Sequence, residues 1–506
     1  MSESCGNSVA DQEALMPRRR KYDKSKTCVK CKENPGNIVI RHAVYCKSCF
    51  IPLMTFKFRR ALEPYVNAKP DGPRRTALKP QGNLLIGFSG GMGSTVLLDL
   101  IHRYYVAPDK ALITDEGGSH HPRNERVWKR VIVCYVEVCD AFTAMEDNTN
   151  EIRDVVEHYG DMEFVPLRIQ DAFDSSWWKS IGRDAIPLMT DLLNEDLHMT
   201  QLPEGKTPLE SMRSHIASLP TPTARSTSLQ TLSRVLVQYT ALANECSHLV
   251  LGTSLTSLAV SLISGIAYGG GFHVKEDIQE EWNSDQDMGS VPDAPKKDKT
   301  RKHGLRIIRP LRDIGMKECG AWTWWMGLKV VGRQGWDWPG AKPGIGSLTK
   351  AFIVGLEKDY PSTVSTIVRT CGKLAPKGSV SGKCVSCERP VQTGSQEWRA
   401  RISLRTRETT SRPTLGNDAI VKSLASHLCY TCQTTFTSRS SRPASIPYPD
   451  FNVNPTATPL PIWIGRSPRP QGGDVLEDGG EEFTVFRPMG RGEMRDVVKD
   501  FLLTDE

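Results

Sequence analysis

Apolar residues in this chain come in short unbroken runs: LLIGF (84–88), VIVCYVEV (131–138), EFVPLRI (163–169), HLVLGTS (248–254) and LRIIRPL (305–311). Text with helical spacing, such as LQTLSRVLVQYTALANEC (229–246), lies between them. Strands that are apolar throughout are buried on both faces, so the pattern predicts α/β architecture, a doubly wound parallel sheet covered by helices, over residues 82–370. Residues 249–272 carry no charge over a length that could span a bilayer. Gly, Ser and Thr dilute that run, and it divides into a strand, a polar turn and an amphipathic helix, so it reads as interior structure and not as a membrane span. Two polar stretches, Pro/Ser/Thr-rich 201–228 and acidic-then-basic 274–303, are expected to be mobile surface insertions.

The ends differ from the middle. Residues 1–26 read as a disordered basic tail containing Arg18, Arg19, Arg20 and Lys21. They have no apolar core for a secretory signal, and their acidic residues argue against a transit peptide, which places the protein in the cytosol. A Pro/Gly/Arg linker precedes the first strand of the α/β region. Residues 441–506 read as a Pro/Gly-rich tail with a terminal helix in EMRDVVKDFLLTDE. The net charge of +7, from 65 basic and 58 acidic residues among 506, suits a polyanionic partner without identifying one. Five tryptophans, Trp322, Trp324, Trp325, Trp336 and Trp338, crowd one region, where helix packing is the expected use.

Fourteen cysteines in a reducing compartment are not expected to form disulfides. Cys28 and Cys31 form one CxxC and Cys46 and Cys49 a second, fourteen residues on. Two residues between thiolates let one knuckle present both sulfurs to a tetrahedral ion, and two knuckles close its shell. Cys384 and Cys387 with Cys429 and Cys432 repeat the arrangement across a longer, basic insert. The expectation is two zinc-ribbon-like four-cysteine modules, at 27–66 (with a following helix) and at 371–440, each holding structural Zn2+; an iron–sulfur cluster is the alternative. Cys5, Cys134, Cys139, Cys246, Cys319 and Cys371 have no paired spacing.

The stretch SGGMGST (89–95) follows the first strand, where open α/β sheets bind ligands. Gly90 and Gly91 let the backbone approach a phosphate, the hydroxyls of Ser89, Ser94 and Thr95 can donate to it, and the amides opening the next helix face the anion. The turn is too short for a Walker A loop and lacks its Gly-Lys-Ser/Thr.

SGGMGST resembles the SGGxDS signature of PP-loop ATP pyrophosphatases, with Gly93 at the aspartate position. Where the tRNA-thiolating members carry a GHNxDD-like turn, LGTSLTSLAVSLI has no aspartate, and no cysteine pair for sulfur transfer is evident; Cys246 and Cys319 stand alone. The order CVKC, CKSC, SGGMGS, LGTSLTSLAVSLISGIAYGGGF, RPLRDIGMKE, CVSC and CYTC is similar to the cytoplasmic tRNA 2-thiolation protein 2 family over nearly the whole chain.

The resemblance implies a non-catalytic PP-loop relative that acts in the cytoplasm with the catalytic tRNA 2-thiolation protein 1. Their joint product is 2-thiolated wobble uridine in lysine, glutamate and glutamine tRNAs. The implied sulfur donor is a thiocarboxylated ubiquitin-related modifier, and a link to protein conjugation of that modifier is implied too. The turn keeps an anion cradle, so ATP binding without turnover stays open. Two other readings are an active PP-loop enzyme recruiting magnesium through Asp99 or Asp140, and a zinc-ribbon nucleic-acid-binding protein unconnected with sulfur. Arg18 to Lys21, Lys57, Arg59, Arg60, Arg74 and Arg75 are the candidate phosphate contacts.

Overall fold

The computed structural model describes residues 26–66, 82–106, 127–142, 145–194, 196–203, 205–279, 281–283, 304–332, 343–374, 380–395, 398–399, 405–410, 423–438, 455–465, 483–488 and 490–499. A hairpin of β1 (Ile38–Ile40) and β2 (Ala43–Tyr45) turns through Arg41 at φ 55° and leads into helix α1 (Lys47–Val66). That helix buries Phe50, Met54, Phe58, Leu62 and Val66, a stripe at every fourth residue.

The central region then runs β3 (Asn83–Gly87), α2 (Met92–Ile101), β4 (Val131–Glu137), α3 (Thr149–Glu157), β5 (Glu163–Arg168), α4 (Ser175–Ser180), β6 (Leu188–Thr190), β7 (Met199–Gln201), α5 (Pro208–Ser218), α6 (Pro222–Ala243), β8 (Cys246–Leu251), α7 (Leu255–Ala267), α8 (Val274–Ile278), β9 (Glu281–Asn283), β10 (Arg306–Ile308), α9 (Met316–Met326), α10 (Ile345–Asp359) and α11 (Pro361–Lys373). Beyond it lie β11 (Val380–Lys383), β12 (Pro390–Gln392), β13 (Arg405–Thr410), α12 (Tyr430–Thr437), β14 (Thr458–Pro459), β15 (Phe483–Pro488) and α13 (Arg491–Val498).

The main sheet has the order β5-β4-β3-β8-β10-β9, parallel except for β9 at one edge. The chain starts at β3, steps outward to β4 and β5, and returns on the other side as β8 and β10. The order therefore reverses between β3 and β8, the position where doubly wound sheets open a crevice. Alternate strand residues feed two cores. Leu85, Ile132, Leu249 and Ile307 pack towards α5, α6 and the C-terminal cysteines, whereas Leu84, Ile86, Val133, Val250 and Ile308 pack towards α1, α2 and α9. Each such side chain contributes roughly 1.5–3 kcal/mol on burial. A third cluster joins α7, α10 and α11 through Leu258, Leu262, Ile353 and Val368.

Residues 201–228 differ from the loop expected of them. Thr207 and Glu210 form a reciprocal capping box that starts α5, Thr221 caps α6, and both helices open on proline. Met212, His215 and Ile216 are then buried against the sheet side of the core, so Ser/Thr composition marked caps and one helix face, not disorder. Of the second insertion, 274–279 and 281–283 form α8 and β9, and 284–303 lies outside the described residues.

In the C-terminal tail Leu460, Ile462, Trp463 and Ile464 are buried in the core, β14 extends the small β6–β7 sheet, and α13 ends the described chain. Trp322 is buried and Trp325 packs edge-on against Phe50 at 5.0 Å, but Trp324 is 83% exposed, contrary to a packing role; Trp336 and Trp338 lie outside the described residues.

Candidate functional site

Ser89, Gly90, Gly91, Ser94 and Thr95 come together at the end of β3, at the switch point. Gly90 takes the turn with φ 71°, its carbonyl accepts from Gly332 N at 3.0 Å, and Gly91 opens α2 in an extended conformation. The buried hydroxyls of Ser94 and Thr95 donate back to Gly91 O at 2.8 and 3.1 Å, and Ser89 N and Oγ both lie 3.3 Å from Ser94 Oγ. These contacts close the turn upon itself.

Gly93 faces the turn that follows β8. A Cβ there would lie 2.3 Å from Gly252 O, and a Cβ on Gly252 would lie 2.6 Å from the Ser94 backbone. Both obstacles are main chain, so neither position admits a side chain while the two turns keep this approach. The aspartate position of the SGGxDS signature is thus filled by a backbone contact.

Beside the turn, at the C-terminal ends of β3, β4, β8 and β10, is a cavity of ≈ 230 Å³ lined by Gly87, Ser89, Glu137, Arg234, Glu276 and Arg309 among others. The sequence reading missed Glu137. It is buried and accepts from Val138 N, Cys139 N, Asn148 N and Tyr135 Oη at 2.7–2.9 Å, which pins the loop after β4. Glu137, Cys139 and Asp147 gather within 4.8 Å, yet Glu137 is fully engaged and Asp147 pairs with Arg168 at 2.6 Å.

The proposed substitute acids are engaged too. Asp99 is buried, pairs with Arg103 at 2.8 Å and accepts from Trp322 Nε1 at 2.8 Å; Asp140 pairs with Arg168 at 2.9 Å. Burial pushes the Cys246 thiol up to about 12 and that of Cys319 higher still, so neither is an ionised nucleophile at neutral pH.

The two cysteine clusters share one construction. Lys32 and Glu388 stand four residues after the first cysteine of each, take positive φ (58° and 55°), and return their N–H groups to the carbonyls of Cys28 and Cys384 at 2.8 and 2.7 Å. The second pair opens a helix in each case: Cys46 and Cys49 at α1, Cys429 and Cys432 at α12. In each set all four sulfurs lie within 4.8 Å of one another, with Cys31 and Cys46 at 3.8 Å and Cys387 and Cys429 at 3.7 Å.

A tetrahedron with bonds of about 2.3 Å has an edge of roughly 3.8 Å. The spacing therefore fits one ion, since a four-iron cluster binds each thiolate to a different iron and needs them farther apart. Burial raises Cys28, but N–H groups of Cys31 and Cys46 outweigh it and bring its thiol down to about 6; burial and the neighbouring sulfurs push Cys49 up to about 12. Four clustered thiolates are reached only with a cation among them, and both sets can hold a metal ion.

The C-terminal module is tied into the core. Arg234 of α6 donates to Cys387 O, Trp463 Nε1 to Ser386 O at 3.0 Å, Tyr239 Oη to Glu388, and His273 Nε2 to Pro390 O at 3.1 Å. Arg389 forms ion pairs with Asp277 at 2.8 Å and Glu276 at 3.4 Å. Although burial opposes its charge, those two carboxylates hold Arg389 firmly protonated, and Asp277 is held below the usual carboxylate range against its own burial by Arg389 and Arg309.

Of the candidate phosphate contacts, Lys57 pairs with Glu318 at 2.5 Å and Arg59 with Glu63 at 2.5 Å, which leaves Arg60 exposed with no ion pair among the described residues. Arg18 to Lys21, Arg74 and Arg75 lie outside the described residues. No described helix is long and apolar enough to cross a membrane.

The family model described as cytoplasmic tRNA 2-thiolation protein 2 matches residues 344–434, from α10 through the C-terminal cysteines. Curated relatives of that name include one from Danio rerio, 28% identical over 384 residues, with 69% of this chain and 67% of the relative covered. Another, from Phaeosphaeria nodorum, is 26% identical over 383 residues, covering 73% and 86%. Among solved structures, the U34-tRNA thiolase NcsA from Methanococcus maripaludis with its [4Fe-4S] cluster aligns with a TM-score of 0.41 at 19% identity, over 70% of this chain and 89% of that one.

Proposed function

Starting from this resemblance to the cytoplasmic tRNA 2-thiolation protein 2 family, we propose that the chain is the accessory subunit of a cytosolic tRNA-thiolation complex. It binds tRNA and a catalytic PP-loop partner, tRNA 2-thiolation protein 1. The partner activates the wobble uridine of lysine, glutamate and glutamine tRNAs with ATP, and a ubiquitin-related modifier delivers the sulfur. Conjugation of that modifier to proteins is a second outlet of the same complex. Each set of four cysteines holds one structural zinc ion, whose chemistry is to draw four thiolates into a closed shell with no position left for substrate.

The observation that carries the reading is the contact between Gly93 and Gly252: a Cβ at Gly93 would meet Gly252 O at 2.3 Å. A carboxylate cannot enter there to manage magnesium and pyrophosphate, and Asp99 and Asp140 are held in ion pairs. Ser89, Gly90, Gly91, Ser94 and Thr95 keep the shape of a nucleotide turn and serve as a packed support, with at most binding of ATP and no turnover.

The test is tRNA thiolation and AMP release by this chain alone, by the PP-loop partner alone and by both. Activity confined to the mixture is expected, and turnover by this chain alone would overturn the reading. Gly93→Asp should restore no activity and should lower stability by about 1–3 kcal/mol or more, the usual range for overpacking. Denaturant unfolding beside the same assay checks both.

A further inference from the structure

A groove of ≈ 780 Å³ lies between α6, α7, α10 and the C-terminal cysteine module. Ser226, Thr227 and Thr231 of α6, Ser261 and Ser264 of α7 and Ser347 of α10 line it with hydroxyls. Its charged lining is Arg234, Lys350 and Arg389 against Asp277 alone. Arg389 is spent on Asp277 and Glu276, and Arg234 on Cys387 O and Gln238, but exposed Lys350 has no ion pair among the described residues. Thr431 Oγ1, also in the lining, is buried without a hydrogen-bond partner.

Next to Thr431 in the chain, Tyr430 turns the edge of its ring to Gly269, where a Cβ would fall 2.2 Å from its Cε1, and Trp398, 40% exposed, meets Tyr430 edge-on at 4.9 Å. Ser226 and Ser264 already donate to Pro222 O and Val260 O and so present acceptor oxygens; with one unspent cation and an exposed indole, these groups match a ribose 2′-hydroxyl, a phosphate and a base face.

We infer that this groove binds an unstacked, single-stranded segment of RNA, with Trp398 stacking on a base, Lys350 on a phosphate and the serine and threonine hydroxyls on sugars and base edges. The inference rests on the tRNA-binding reading above and assigns it a surface. Duplex RNA offers no free base to Trp398, and DNA lacks the 2′-hydroxyl that the hydroxyl wall would meet.

The experiment uses the full chain in its metal-bound form with four probes: a tRNA transcript, a single-stranded oligoribonucleotide, its deoxy counterpart and its base-paired duplex. The single-stranded RNA should outcompete the DNA and the duplex. Trp398→Ala should weaken tRNA binding roughly tenfold, as loss of one stacked base does. Lys350→Glu should weaken it and reduce the slope of log affinity against log salt by about 0.7, the value for one single-strand phosphate contact. Lys350 is exposed on a helix surface, so this variant decides the matter even if Trp398→Ala unfolds. Unchanged tRNA affinity in both variants, with loss on Arg60→Glu, would overturn the groove and leave the proposed function standing. A chain that binds no RNA, alone or with its partner, would overturn both. Loss of pairing with the PP-loop partner at intact RNA affinity would make the groove a protein interface and overturn the inference.

Discussion

In the N-terminal cysteine module Cys31 and Cys49 are half-buried, β1 and β2 have three residues each, and the link to the sheet is α1 with its Lys57–Glu318 pair. In the C-terminal module all four cysteines are buried in the same core as α5, α6 and the sheet, and Arg234, Tyr239, His273, Arg389 and Trp463 tie its knuckle to the rest. One knuckle chemistry thus serves two ends. At the first, a bound ion would hold a short hairpin against the start of α1, whose apolar stripe already lies in the core on one face of the sheet; at the second it would organise the face of the α/β domain that forms the groove.

The largest expected difference is in metal loss. Cys432→Ser should empty the C-terminal site and unfold the α5–α6 side of the sheet with it, because structural zinc is worth about 10–16 kcal/mol to a module that depends on it. Cys31→Ser should unfold the N-terminal module and leave the sheet protected. Metal content and amide hydrogen exchange on each variant check this, and equal loss of sheet protection in the two would erase the contrast.

Next are the ion pairs that dock each module. Arg389→Met leaves Asp277 and Glu276 with buried Arg309 as their remaining neighbouring cation and should cost up to about 3–5 kcal/mol. Lys57→Met at the other end leaves one buried carboxylate, Glu318, which still accepts from Gly315 N, and should cost about 1–3 kcal/mol. Urea denaturation of both, with a difference below about 1 kcal/mol, would place the two docking contacts on the same footing.

A smaller effect comes from acid. His215, on the C-terminal side, is bonded to Pro459 O at 2.8 Å and Ser228 Oγ at 2.9 Å, and burial brings it down to about 4. His248, on the opposite side of the sheet, accepts from Trp128 Nε1 at 3.3 Å and is likewise lowered to about 4, by burial and by Arg306. The unfolded chain takes up these protons near its ordinary value of about 6.5 and the native chain only near 4, so stability is complete above that range and falls as pH drops through it. Each histidine accounts for about 3 kcal/mol at the low end. His215→Gln should remove its own share of the acid-linked loss, about 3 kcal/mol at the low end, without touching the N-terminal module, as measured by unfolding free energy from pH 7 to 4.5 with bound metal monitored.

Much of this was legible in the sequence because the signals were local. The parallel sheet announced itself in VIVCYVEV and HLVLGTS, whose strands have both faces covered. Each CxxC pair is a single short knuckle, so spacing alone brought its two thiolates together. The helix over 208–218 and the opening of the one over 222–243 were hidden because Thr207 and Thr221 cap them and Ser226 and Thr227 face the groove, contexts that only the fold creates, whereas the spacing from 229 onward was read as helical. Glu137 carried no signal in the sequence, since the three backbone amides and the tyrosine converge on it only in the fold. Arg389 and Asp277 are 112 positions apart, and Gly93 meets Gly252 at the ends of the adjacent strands β3 and β8, which are far apart in the chain, so no sequence window contains either contact.

The approach of Gly93 and Gly252 also acts as an interlock between the two turns. A side chain at either position, whatever its chemistry, meets main chain before it meets any ligand. One substitution alone therefore cannot set a carboxylate in the cradle, and the turn after β8 has to withdraw before any acid at position 93 finds room.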